Sequence, residues 1–157
     1  MSFLIQWFYI LALALWVGGI VFFSFFTTPV IFSNLPKEMA SQLLTALFPR
    51  YYQLGYACGG VLLVTALLES LLVRHLPLVR LILIAIMMGG TLYAGLVVRP
   101  QVHDLKVEMR AVEEGTPRGE ELKKQFSQAH RLSVILNMIV LLCGLFLVGI
   151  LAFRLRL

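Results

Sequence analysis

Charged side chains are missing from the start of this chain, and the first of them is Lys37. A cleavable signal peptide begins with a positively charged region and has a shorter apolar core, so the opening apolar run is expected to persist as a membrane helix. Acidic residues are just as scarce inside the apolar runs, where Glu69 is the only one. The sequence also contains no N-glycosylation sequon and no low-complexity tract.

Cysteine is nearly absent, since the chain has only Cys58 and Cys143. Both lie inside apolar runs, where a disulfide framework is not the expected use of cysteine. The net charge is +5, but most of the Lys and Arg residues flank apolar runs, as membrane topology requires. Because no basic and aromatic surface accompanies that charge, nucleic acid is not an expected partner.

Hydrophobic residues make up 60% of the 157 residues, and the mean hydropathy is +0.91. Soluble domains are about half apolar or less, so the composition predicts an integral membrane protein in contact with the lipid bilayer. Each of four apolar segments can cross a hydrocarbon core of about 30 Å as a helix. These spans cover about residues 3–32, 51–73, 78–98 and 132–153.

The segments between the spans also have helical patterns. Residues 37–48 place Met39, Leu43, Leu44 and Leu47 on one face, which predicts a short amphipathic helix at the interface. Residues 99–131 have heptad-like apolar spacing on both sides of a GTPRG turn signal. The chain is therefore expected to be a single all-α membrane domain, a four-helix bundle whose third and fourth helices continue outward as an antiparallel hairpin.

Small residues recur in the spans and predict close helix packing. The pairs with four-residue spacing are Ala14 and Gly18, Gly55 and Gly59, and Ala85 and Gly89. Nine of the 13 Lys and Arg residues lie on the hairpin side. The positive-inside rule therefore predicts a cytoplasmic hairpin, and we expect the protein in a bacterial inner membrane.

Polar residues gather where the predicted helices leave the membrane on the hairpin side. His130, Ser133 and Asn137 share one helical face at the start of the last span. The up-and-down topology brings other polar groups to the same level, namely Arg50, Tyr51, Arg99 and His103. The arginines suit an anion and the histidines a proton or a metal ion. Alternatively, Arg and Tyr mark the interface and Ser133 and Asn137 bond neighbouring helices.

Soft sulfur atoms form a second group inside the predicted membrane region. It consists of Cys58, Met87, Met88, Met138 and Cys143. Thioether and thiolate ligands select Cu(I) and similar ions, so these residues are candidates to line a metal path. Methionine and cysteine are also ordinary packing residues, which is the alternative interpretation.

Three motifs carry a family resemblance that covers nearly the whole chain. LTALFPRYY leads the second span, VVRP ends the third and FSQAHRLSVILN leads the fourth. With these motifs the chain resembles the transmembrane protein 205 family. The resemblance implies a four-helix membrane protein of unestablished activity, and the link of its animal members with platinum-drug resistance fits the handling of a soft metal.

The WVGGIVF motif of the first span is similar to the Trp-x-Gly-Gly pattern of copper-resistance D-type proteins. Those proteins, and the haem-dependent four-helix oxidases that they resemble, usually carry a histidine seven residues before that tryptophan. Here the position is Tyr9. The departure removes the first-helix ligand that the resemblance would otherwise imply.

Together these observations predict a membrane protein that binds a soft metal ion such as copper, with His130 and His103 as ligands. No residue pattern indicates catalysis. The alternatives are a haem-binding redox protein and a scaffold that holds a partner through its hairpin. The partners predicted are lipid, a soft metal ion, and a second copy of the chain or another membrane protein.

Overall fold

A computed structural model describes residues 3–73, 77–112 and 115–155, and this part of the chain forms four long helices. They are helix 1 (Phe3–Asn34), helix 2 (Lys37–Val73), helix 3 (Leu78–Ala111) and helix 4 (Pro117–Leu155). Their 32 to 39 residues give lengths of about 48–58 Å, more than the roughly 30 Å of a hydrocarbon core. The protein is a multi-pass membrane protein, and the predicted all-α bundle is confirmed.

The four helices pack in a closed ring, in which helix 1 contacts helices 2 and 4 while helix 3 contacts the same two from the other side. The core between them is apolar, and its fully buried side chains include Leu13, Ile20, Leu62, Ile84 and Leu147. In each apolar window at most 33% of the residues are buried inside the bundle. The remaining apolar residues face outward, toward the lipid of the membrane.

Helix 2 differs from the sequence-based expectation, which separated an interfacial helix over 37–48 from a span starting at Tyr51. The structure joins both into one helix of 37 residues that contains Pro49. The inward-facing residues Ala40, Leu44, Phe48 and Tyr52 follow at four-residue spacing past that proline. This continuous face packs toward the bundle, and Arg110 of helix 3 forms a salt bridge with Glu38.

Helices 1 and 3 each contain a π-helical segment, Phe22–Thr27 and Ala94–Val98 respectively. Each segment ends two residues before a proline, Pro29 or Pro100. A proline ring collides with the carbonyl four residues earlier in a regular α-helix, and a wider turn relieves that collision. In helix 1 the wider turn is visible as a hydrogen bond between residues five positions apart, in which the Phe23 carbonyl accepts the backbone N–H of Thr28. The same carbonyl also accepts the Thr28 hydroxyl.

The hairpin has a small core of its own, formed by Leu105, Leu122 and Ala129. Helix 4 begins with Thr116 as its cap, because the Thr116 hydroxyl accepts the Gly119 N–H at 3.1 Å. Gly115 has a φ of 86°, a left-handed conformation that favours glycine. Residues 113 and 114 of the predicted turn lie outside the described residues.

The small residues that bring the helices together are not all those expected. Gly55 and Gly59 are buried, whereas the pairs Ala14 with Gly18 and Ala85 with Gly89 face outward. Gly144 and Gly95, which were not among the predicted pairs, make close contacts instead. A Cβ atom on Gly144 would lie 2.6 Å from Val17 Cγ2, and one on Gly95 would meet the Tyr52 ring at 3.0 Å.

Gly144→Leu is expected to destabilise the bundle by about 1–3 kcal/mol, because a side chain there would force helices 1 and 4 apart. Gly149→Leu is the matched control, since a Cβ at Gly149 has no atom within 4 Å. The measurement is the free energy of unfolding of detergent-purified protein. Equal stability of the two variants would contradict the observed contact between helices 1 and 4.

Candidate functional site

A hydrogen-bonded network joins three helices at the hairpin-side boundary of the membrane. The Tyr51 hydroxyl of helix 2 donates to Asn137 Oδ1 of helix 4, and Asn137 Nδ2 donates to Ser24 Oγ of helix 1 at 3.0 Å. The side chains of Tyr52 and Ser133 are also hydrogen-bonded. We call these five residues the boundary network. By helix rise they lie about 27–33 Å from the opposite ends of their helices, where a core of about 30 Å would end.

Aromatic rings surround the boundary network on the side of helices 1 and 2. The Phe23 ring stacks on Tyr51 with centroids 4.7 Å apart and meets Phe48 edge-on at 5.4 Å. Tyr52 continues this series between Phe48 and Tyr56, at 6.3 and 6.4 Å. Rings in such offset and edge arrangements attract one another, so they hold the tyrosine hydroxyls in place.

Helix 3 accommodates these rings through Gly95, which lies in its π-helical segment. A Cβ at Gly95 would lie 2.0 Å from the Tyr56 hydroxyl, in addition to its contact with Tyr52. Tyr52 and Tyr56 therefore lie directly against the backbone of helix 3. The absence of a side chain at Gly95 is what allows this approach.

The interior beneath the boundary network is nearly filled. A cavity of ≈ 10 Å³ lies there, lined among others by Trp16, Gly55, Thr91 and Asn137. That volume is about what one water molecule needs. The buried part of the predicted site thus stabilises the helix arrangement, and a larger ligand would have to bind at its outer edge.

Two arginines from the predicted site lie at that outer edge, and both side chains are exposed. Arg99 lies four positions after Gly95, the residue of helix 3 that Tyr52 and Tyr56 contact. Arg50 Nη1 donates to Gln53 Oε1 at 3.2 Å. Among the described residues neither arginine forms a salt bridge with a carboxylate. Their guanidinium groups remain available to an anion, which they can bind through paired N–H donors.

The histidines lie further out, on the hairpin. His130 is exposed and stacks in parallel on Phe126 at 6.2 Å, and His103 is also exposed. Helix rise puts both at about 38 Å from the opposite ends of their helices, the common height that the sequence predicted. Within the described ranges, no group of three or more His, Cys, Asp or Glu side chains could hold a metal ion.

The soft sulfur residues are distributed over different surfaces. Cys58 is buried in the main core and Cys143 packs against its edge, whereas Met138 is 42% exposed toward lipid. The Met87 side chain lies beside Gly144 of helix 4, and that of Met88 lies beside Gly59 of helix 2. These placements match apolar packing and do not form one set of ligands for copper.

The opposite end of the bundle contains a polar cluster that sequence reasoning did not identify. Arg80 and Glu69 form a salt bridge, with side chains only 6% and 12% exposed. The Arg80 guanidinium lies over the Tyr9 ring, 5.2 Å from its centroid. Arg74, which is closer to Glu69 along the chain, is outside the described residues.

The position of Tyr9 excludes one pair of haem ligands. Tyr9, where the resemblance to haem-dependent oxidases would imply a histidine, contacts Arg80 and lies roughly 28 Å along the bundle from the level of His130. Tyr9 and His130 are therefore too far apart to be the two axial ligands of one haem.

Ser24 and Tyr56 were also missed as site residues. Ser24 is the one polar residue within the run FFSFF, which was the available signal. A hydroxyl among four phenylalanines inside a membrane helix needs a partner within the protein, and Asn137 provides it. No sequence feature marked Tyr56, because its packing against helix 3 depends on Gly95, the residue that it contacts.

Comparison with known proteins identifies one family. Residues 11–111 match the family described as a domain of unknown function, DUF4149. No curated protein and no solved structure matches the chain. The matched region runs from helix 1 through the hairpin arm of helix 3 and includes Ser24, Arg50 and Arg99.

Proposed function

Since that match covers more than half of its residues, the chain belongs to the DUF4149 family, and we propose that this membrane protein binds an anionic ligand at its hairpin-side boundary. Arg50 and Arg99 provide the positive charge. The boundary network fixes the helices that carry them.

The observation that carries this proposal is the environment of Arg99. Arg99 follows Gly95, the residue against which Tyr52 and Tyr56 pack, by four positions in helix 3, and its side chain is exposed at the membrane boundary. A cation held at this level without a carboxylate partner among the described residues attracts anions from either the water or the lipid headgroups.

The same geometry supports anion binding better than it supports soft-metal binding, haem binding or a scaffold role. The histidines are separated from the sulfur residues, and Tyr9 is engaged with Arg80. Apolar residues of the hairpin such as Leu105 and Phe126 pack in the hairpin's own core. A visible spectrum and elemental analysis of purified protein test the metal and haem candidates directly.

Phosphate is a suitable probe for the anion site. We expect inorganic phosphate to raise the melting temperature of delipidated, detergent-purified protein more than chloride does at equal ionic strength. Arg50→Gln with Arg99→Gln should weaken this effect about tenfold or more, because each charged hydrogen bond contributes about 1.5–3 kcal/mol.

Arg118→Gln combined with Arg110→Gln is the matched control, since it removes the same charge from exposed hairpin pairs with Glu108 and Glu38. This variant should keep the phosphate response. A response lost equally in both double variants, or no phosphate response in the unmodified chain, would overturn the proposal. Stoichiometric copper or a Soret band would favour one of the other candidates.

A further inference from the structure

An apolar groove follows the outer face of helix 2. Its volume is ≈ 630 Å³, and it is lined by the first turns of helix 1, including Leu4 and Phe8, and by helix 2 from Tyr56 to Leu68. Gly60 forms part of its floor, and a Cβ there would meet no atom within 4 Å. The groove is thus open along the surface that faces lipid.

The chemistry of the groove suits a hydrocarbon chain. Its lining residues are apolar except for the hydroxyls of Tyr56 and Thr65. The Thr65 hydroxyl already donates to the carbonyls of Val61 and Leu62, at 2.8 and 3.0 Å. Only one lining residue, Tyr56 at the upper end, therefore has a side chain suited to contact a polar group.

The groove begins near the hairpin-side boundary and crosses the middle of the membrane. Tyr56 and Leu68 are 12 residues apart in helix 2, which corresponds to about 18 Å. By helix rise they lie about 26 and about 8 Å from the opposite end of helix 2, and half of a hydrocarbon core of about 30 Å is about 15 Å. An acyl chain that enters from the hairpin side would therefore fill the upper part of the groove, from Tyr56 to about the middle of the membrane.

The upper end of the groove is positively charged. The Tyr56 hydroxyl lies against Gly95 of helix 3, four positions before Arg99. Arg50 precedes the groove residues Ala57 and Val64 by seven and fourteen positions, so it lies on the same face of helix 2. A headgroup above the groove would therefore meet both arginines.

We propose that the occupant is an anionic phospholipid, with an acyl chain in the helix 2 groove and its phosphate at Arg50 and Arg99. The inference rests on the proposed anion site and adds the source of the anion. The charge at the upper end selects a lipid over an apolar partner helix, because a helix that only filled the groove would leave both arginines unused. A cytoplasmic hairpin, as the basic residues predict, would place them at the leaflet that is rich in anionic lipid.

Lipid retention tests the proposal. The protein is reconstituted in vesicles of equal parts dipalmitoylphosphatidylglycerol and dipalmitoylphosphatidylcholine, extracted in mild detergent, and weighed with its bound lipid by native mass spectrometry. We expect the unmodified chain to retain the phosphatidylglycerol preferentially. Gly60→Leu fills the groove and should reduce that retention about tenfold, whereas Gly149→Leu, on an equally open position of helix 4, should not.

Ala57→Leu provides a second filled groove, because Ala57 is exposed within it. Circular dichroism and the melting temperature establish that the variants are folded. Retention unchanged in both groove variants overturns the lipid inference, while the phosphate response of the Arg50 and Arg99 site stays a separate result. Equal retention of both lipids also overturns it. A dimer that becomes monomeric in Gly60→Leu would identify a second copy as the occupant and contradict the lipid.

Discussion

Arg80→Met is expected to lower the free energy of unfolding by about 3–5 kcal/mol, because it removes one charge of a buried ion pair. Both side chains are largely shielded from solvent, and Tyr9 covers the guanidinium. Removing one charge of such a pair costs far more than removing one charge of an exposed pair. The loss is measured by unfolding in mixed detergent micelles.

The double variant Glu69→Leu with Arg80→Met separates charge from packing. It should recover most of the loss, because two apolar side chains of similar size need no desolvation of a charge. Arg118→Met is the surface control, since its pair with Glu108 is more than half exposed and should contribute about 0–1 kcal/mol. If the double variant were as unstable as Arg80→Met alone, the ion pair would not explain the effect.

The helices could be predicted from the sequence because the bilayer sets their length. Apolar runs of more than twenty residues with at most one charge have few alternatives to a membrane helix, so all four spans were identified. The prediction separated residues 37–48 from helix 2 because their apolar residues lie on one face, as in an interfacial helix, and Pro49 lies between that segment and the predicted span. In the structure the inward stripe from Ala40 to Tyr52 continues past that proline, and its packing outweighs the lost hydrogen bond.

The partners of the polar residues could not be predicted in the same way. Sequence spacing places Asn137 on a face and at a height, but its bonds to Tyr51 and Ser24 depend on how three helices are rotated. Glu69 likewise pairs with Arg80, which lies eleven positions away and belongs to the next helix. The π-helical segments, which alter that rotation, had a signal in Pro29 and Pro100 that periodicity does not register.

The candidate site was likewise predictable only in part. The convergence of Arg50, Tyr51, Arg99, Ser133 and Asn137 at one level followed from topology alone, and the structure places them near the same boundary. Metal binding at His130 was inferred from residue type, and residue type gives no information about exposure. The helix 2 groove could not be inferred at all, because its lining combines the start of helix 1 with a face of helix 2 that looks like any lipid-facing surface.

Trp16→Ala is expected to destabilise the protein by about 3–5 kcal/mol, because it removes the largest side chain from the centre of the bundle. Trp16 is 3% exposed and packs against Gly55 and Gly59 of helix 2. It also lines the cavity of ≈ 10 Å³ beneath Asn137, so its loss would enlarge that cavity.

Trp7→Ala is the matched control, since Trp7 belongs to the same helix but is 49% exposed to lipid. Its removal should change the free energy of unfolding by no more than about 0.5 kcal/mol. The two variants are compared by unfolding in the same detergent mixture, with the phosphate response measured alongside. Trp16 and Asn137 line the same cavity. Enlarging that cavity in Trp16→Ala should therefore also loosen the boundary network and weaken phosphate binding, whereas Trp7→Ala should leave both unchanged. Equal stability of the two variants would contradict the packing of helix 1 against helix 2 and, with it, the rigid support proposed for Arg50 and Arg99.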